Sequence, residues 1–222
     1  MSAATQAGDT PAFVPRSRLT VLIDFRSSHA YLAKNATVAL ELGTSIDADW
    51  LPLRITHPNR TGTATADLEQ PTDRGARHRR ARARYYEQDL QRYVRLRGLT
   101  VSDVYPPCDS TPPGLGLLWL RDAPASVRTR YVDLIFERHF GQHMELGDVC
   151  AALSASGADG SAFTQFAAQA GPAEFELLQR TLRATGCTTT PTYLLDGEQF
   201  QGRQHMPLLR WLLLGRPGNA PL

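Results

Sequence analysis

Ser27, Ser28 and His29 stand where a short apolar run, Val21, Leu22, Ile23 and Phe25, gives way to a pattern of helical period. A serine at a helix start accepts a hydrogen bond from the first turn, so either serine suits a cap. The unpaired N–H groups and the macrodipole of that turn favour an anion beside Ser27, whether phosphate, carboxylate or thiolate. A second place for chemistry is Thr190-Pro191-Thr192, which opens a β-prone run near the other end. The thiols are a third: Cys108, Cys150 and Cys187 are far apart and form no C-x-x-C pair. An odd, widely spaced set argues for a reducing compartment, by default the cytoplasm, and against a disulfide framework.

Several elements must position these residues. The apolar run reads as a buried strand, and Ala30, Leu32, Ala33, Ala36, Ala39, Leu40 and Leu42 recur along a helix expected to stop at Gly43. Asp49-Trp50-Leu51-Pro52-Leu53 reads as a second strand parallel to the first, making a right-handed βαβ unit. His57 to Pro71 is loop-like, and Thr72 to Leu99 is helical, with six arginines between Arg74 and Arg84. Those arginines suit an anionic channel or, more simply, a solvated helix face. Val104 to Gly116 is turn-rich, Leu117 to Leu153 is a helical block, and Ser156 to Gly160 breaks it before helices at Ser161–Ala170 and Pro172–Thr185. Thr192 to Gln201 then reads as a hairpin turning at Asp196-Gly197, followed by an apolar helix from Met206 to Leu214.

With 222 residues, 42% hydrophobic and 21% charged, the chain has the composition of an ordinary globular domain large enough for a real core. Its net charge of +2 is a poor nucleic-acid footprint, and no run approaches the roughly 20 apolar residues of a membrane span. The first 17 residues lack the basic and apolar regions of a secretory signal and read as a flexible tail. The histidines show no metal spacing backed by a second cluster; His139 and His143 fall one turn apart only if Gly141 leaves the helix intact. No metal, nucleic acid or membrane is therefore expected, and a small-molecule substrate is.

DFRSSHAYLA resembles the DFxSPxxYLA segment of the 2-hydroxychromene-2-carboxylate isomerases and kappa-class glutathione transferases, a branch of the DsbA-like thioredoxin fold. GCTTTPTYLLDGEQFQG resembles that family's closing segment, G-x-x-G-x-P-T-F-x-x-D-G-x-x-F-x-G. In order, the two motifs span about Leu19 to Leu214. The resemblance implies an α/β fold in which a thioredoxin-like domain, residues 18–60 and 186–215, is interrupted by an all-helical insertion, residues 61–185. It implies that Pro191 is cis, and that Ser27 donates to the sulfur of glutathione or another low-molecular-weight thiol. Thr190 would bind the cysteinyl backbone; Gln204 and His205, where the family has aspartate and arginine, would lie at the γ-glutamyl end. Arg60 falls near a basic residue of the family and would meet a carboxylate.

The implied activity is glutathione-dependent isomerisation of a conjugated enone or aromatic unsaturated acid in aromatic compound metabolism. The alternatives are a kappa-like transferase and a non-catalytic thioredoxin-fold binding protein. Where related oxidoreductases carry C-x-x-C, this chain has Ser27, Ser28, His29 and Ala30, so a dithiol–disulfide oxidoreductase is not expected. Ser28 replaces the family's proline and His29 an aromatic residue. The resemblance also admits a homodimer, with no interface readable from the chain. Cys187 lies close in sequence to Pro191, and a buried structural thiol is the simpler expectation for it.

Overall fold

The computed structural model describes residues 12–56, 74–101 and 103–221. His57 and Arg60 lie outside the described residues. The chain runs β1 (Leu19–Ile23), α1 (Ser28–Thr44), β2 (Asp49–Pro52), α2 (Arg74–Leu96), α3 (Thr111–Trp119), α4 (Ala125–His139), α5 (Leu146–Ser156), α6 (Gly160–Ala168), α7 (Gly171–Ala184), β3 (Thr192–Leu195), β4 (Glu198–Gln201) and α8 (Met206–Leu213). Short 3-10 turns precede α4 at Leu120–Asp122 and α8 at Arg203–His205.

The four strands form one sheet in the order β2-β1-β3-β4. β1 pairs in parallel with β2, as a βαβ unit requires, and antiparallel with β3. All five residues of β1 are buried, because both faces of the sheet are covered. Leu19, Val21 and Ile23 share one core with residues of α1, α4 and α8, while Leu22 points into a second core with Leu51, Leu53, Leu178 and Leu182. Asp196 and Gly197 both have positive φ, 51° and 84°, which makes the β3–β4 turn the hairpin that Asp-Gly favours.

Between α1 and α4 the core is aromatic: the Tyr31 ring stacks on Phe136 at 5.1 Å, and Phe25 packs against both Tyr131 and Phe136. Lys34, the chain's one lysine, is buried in the same seam and pairs with Asp133 and Glu137 of α4. On the opposite side Gln179 of α7, fully buried, accepts from Arg54 N at 2.7 Å and donates to Pro52 O at 2.9 Å. It completes the hydrogen bonding of the chain leaving β2. Gln179→Leu would leave both backbone groups buried and unpaired, so a stability loss of about 2 kcal/mol is expected in denaturant unfolding.

Three boundaries differ from expectation. α1 runs through Gly43 and ends at Ser45, which takes the left-handed cap conformation at φ 54°. A Cβ at Gly43 would collide with the Arg210 guanidinium of α8, so this glycine permits a close approach and does not stop the helix. The turn-rich stretch before Gly116 holds the first half of α3, because Pro112 and Pro113 occupy the opening turn, where a missing N–H costs nothing. The block from Leu117 to Leu153 is divided among α3, α4 and α5. α4 ends at His139 and Gly141 takes φ 76°, so His139 and His143 do not share a helix.

Candidate functional site

The end of β1, the start of α1, the segment 103–109 and the entry to β3 meet at Ser27. Asp24, just past β1, accepts from Arg26 N at 2.9 Å and from Ile55 N at 2.8 Å, which ties the exits of β1 and β2 together. Its backbone carbonyl accepts from Ser27 N at 2.8 Å, and the chain turns there into α1. Ser27 is the N-cap, with Ala30 N–H donating to its Oγ at 3.2 Å. The Ser27 hydroxyl donates to Thr190 O, also at 3.2 Å, across a sequence distance of 163 residues.

The Thr190–Pro191 bond is cis. Thr190 is buried, and its Oγ1 has no hydrogen-bond partner among the described residues. Ser27, Thr190 and Pro191 thus lie together. Gln204 and His205 lie on the 3-10 turn before α8, where Gln204 Nε2 donates back to Gln201 O at 2.6 Å and the His205 ring meets the edge of Phe200 at 5.8 Å. The charge of Arg203, from the same 3-10 turn, acts on His29 at the start of α1. The Arg203 guanidinium lies 3.5 Å over the Tyr93 ring and 3.8 Å from Asp89, both on α2.

His29 is held below the usual histidine range, first by burial and then by the Arg203 charge, with Asp89 opposing. The unfolded chain therefore takes up this proton first as pH falls through about 6.5, and stability drops across that window. A His29→Gln variant is expected to keep, between about pH 7 and pH 5, stability that the wild type loses; unfolding midpoints at the two pH values measure it.

Tyr105 has no counterpart among the sequence candidates. Burial pushes its pKa up, more than the neighbouring Ser27 hydroxyl lowers it. Ser28 holds the segment that brings it there: Ser28 N donates to Val104 O at 3.1 Å, and Ser28 Oγ shares its proton between Asp103 O at 2.9 Å and Val104 O at 2.8 Å. A proline at position 28 has no N–H for the first of these bonds, so the departure at Ser28 has a structural use.

Tyr105 also borders a cavity of about 640 Å³, together with Arg26, Arg54, Thr56, Cys108 and Asp109. Arg26 donates to Ile55 O at 2.6 Å and to Cys108 O at 3.3 Å, while its Nε is buried without a partner. Arg54 is held by Thr111 and Glu176. Burial pushes the Cys108 thiol up, more than the Arg26 charge lowers it, which is the reverse of an activated nucleophile. Cys187 belongs to the second core beside Thr185, and Cys150 contacts Thr164; all three thiols are free. Among the described residues no group of three potential ligands could hold a metal, and no helix is long and apolar enough to cross a membrane.

No protein-family model matches the chain, and no curated protein matches it in sequence. Solved structures match its fold. 2-Hydroxychromene-2-carboxylate isomerase superposes with a TM-score of 0.62 at 20% identity, covering 89% of this chain and 94% of that one. The cytosolic disulfide reductase DsbM from Pseudomonas aeruginosa, solved with GSH, superposes with a TM-score of 0.59 at 18% identity, covering 89% of this chain and 98% of that one. The chain has the DsbA-like thioredoxin fold, which carries an isomerase in one of these neighbours and a disulfide reductase in the other.

Proposed function

We propose that this chain is a glutathione-dependent isomerase acting on a conjugated enone or aromatic unsaturated acid, and that Ser27 is its thiol-activating residue. One observation carries the reading: the residue capping α1 opposite Thr190 is a hydroxyl donor, where a redox protein of this fold needs a sulfur. The donors also fit a thiol. Ser27 Oγ–H and the first turn of α1 are neutral groups that favour negative charge, and the unpartnered Thr190 Oγ1 lies buried beside them. When bound, glutathione would supply the sulfur that adds reversibly to an electron-poor carbon of the substrate.

In this reading Ser27 donates to the sulfur in place of Thr190 O, and Thr190 holds the cysteinyl portion of the thiol. The cationic contact near the glutamyl end comes from Arg203, with Gln204 and His205 peripheral to it and Arg60 kept as a candidate for a carboxylate. The substrate lies in the cavity beyond Tyr105, where the part-buried guanidinium of Arg26 attracts an acid group. Residues 18–60 and 186–215 then form the thiol-binding part, and the intervening helices complete the cleft.

A transferase would use the same site and release the adduct. A non-catalytic thiol-binding protein is favoured by one feature, the complete enclosure of Ser27. The test is incubation with glutathione and a panel of aryl enone acids in the less stable geometry. Isomerisation with glutathione recovered unchanged is the expected result. Stoichiometric loss of glutathione into an adduct would assign a transferase, and thiol binding without turnover of any member would assign a binding protein.

A further inference from the structure

A groove of about 650 Å³ opens between the second half of α1 and the first half of α4, toward the opposite end of α1 from Ser27. Val38 and Leu42, four residues apart, share a face of α1, as Ala125 and Thr129 share one of α4, so each helix lines the groove with one side. Val38 and Ile46 also pack on the main core, while Leu42 stands 78% exposed. The charges around the groove are unevenly matched. Glu41 and Asp47 both hold Arg128, and Asp133 holds Lys34. Asp47 remains 68% exposed and gives one carboxylate oxygen to Arg128. Arg130, exposed on α4 and lining the same groove, has no hydrogen-bond or ion-pair partner among the described residues.

We propose that this groove is the contact surface between two copies of the chain packed about a two-fold axis, Leu42 of one copy seated against the groove of the other and Arg130 of one paired with Asp47 of the other. A two-fold contact sets a patch against itself, so the patch must carry both halves of every interaction. This one does: a projecting leucine beside an apolar groove, and an unpartnered guanidinium beside an exposed carboxylate. A small apolar anion fits less well. The lining holds three carboxylates, Glu41, Asp47 and Asp133, against the one guanidinium of Arg130, which disfavours a further negative charge. A second copy brings its own cation to them. At 1.5 Å per residue, Leu42 lies about 21 Å along α1 from Ser28, well away from the thiol site of each copy. The contact is independent of the chemistry assigned to Ser27.

The test is sedimentation equilibrium of the full chain between about 1 and 200 μM, the range in which a dimer of micromolar Kd dissociates. The wild type is expected to dimerise across this range, and more weakly as salt is added. Leu42 and Arg130 are exposed, so Leu42→Gln and Arg130→Glu are expected to leave the thermal unfolding midpoint of the monomer unchanged. Each substitution occurs twice in a two-fold dimer, and each variant is expected to weaken association about 100-fold, tenfold for each copy of the residue. All three proteins are also titrated calorimetrically with dodecanoate. A wild type that stays monomeric throughout overturns the proposal. So does a dimer that either variant leaves intact, which would place the contact on another face. A monomer that binds dodecanoate, with affinity lost in both variants, also overturns it and would assign the groove to an amphipathic small molecule.

Discussion

Replacing Ser27 with alanine is expected to lower glutathione-dependent turnover about 100-fold, the usual cost of losing one preorganised donor to a developing anion. The helix N-terminus remains in the variant, so activation is weakened and not abolished. The sulfur loses the donor that competes for it against Thr190 O, and the bound thiol returns toward the pKa of about 8.5 of a free one. At neutral pH its thiolate fraction then falls. The structural cost is separate and smaller: alanine cannot accept from Ala30 N–H, and losing such a cap costs about 1 kcal/mol. Ser27→Thr restores both cap and donor, and is expected to recover most of the activity. Initial rates at saturating glutathione, measured alongside an unfolding curve for each variant, separate the two effects.

The second large effect concerns stability. Arg128 of α4 is buried, and its Nη2 donates to Glu41 Oε1 at 3.2 Å and to Asp47 Oδ1 at 2.7 Å. Asp47 is exposed, but Glu41 lies in the seam between α1 and α4, where burial raises its pKa despite Arg128 and the hydrogen bond from Ala48 N. Arg128→Met would leave that carboxylate with one neutral donor, and a loss of about 3 kcal/mol is expected at pH 7. The sign of its pH dependence follows from the raised pKa. Stability tied to protonated Glu41 is present at low pH and lost as pH rises through the folded-state value, so the gap between variant and wild type should narrow between pH 7 and pH 5. Adding Glu41→Gln to Arg128→Met should recover part of the loss at pH 7.

Most of the sheet was legible because its signals are local. An apolar run followed by two cap residues marks β1 and the turn into α1, and Asp-Gly between β-prone runs marks the hairpin. Ser27 and Thr190 stood out for the same reason, each at the mouth of a recognisable element. What could not be read depends on where distant segments arrive. Tyr105 sits in a proline-rich loop with no periodicity, and its approach to Ser27 is made by Ser28 reaching across 76 residues to a carbonyl. Arg203 packs its guanidinium on Tyr93 and Asp89 of α2, a contact between segments more than 100 residues apart that sequence alone does not show. Lys34 and Arg128 have the look of surface charges and are buried, which only the packing of α1 on α4 reveals. Gly43 has the look of a helix end, and only the position of Arg210 shows its use.

The function assigned to the site depends on one property, the ability of the α1 N-terminus with Ser27 to hold glutathione as its thiolate. The most direct measurement is the ultraviolet absorbance of the thiolate as a function of pH for the wild-type protein saturated with glutathione, with binding established by calorimetry. A midpoint drawn down from about 8.5 toward neutrality is the predicted result. Glutathione that does not bind, or that binds with the midpoint of the free thiol, would contradict it.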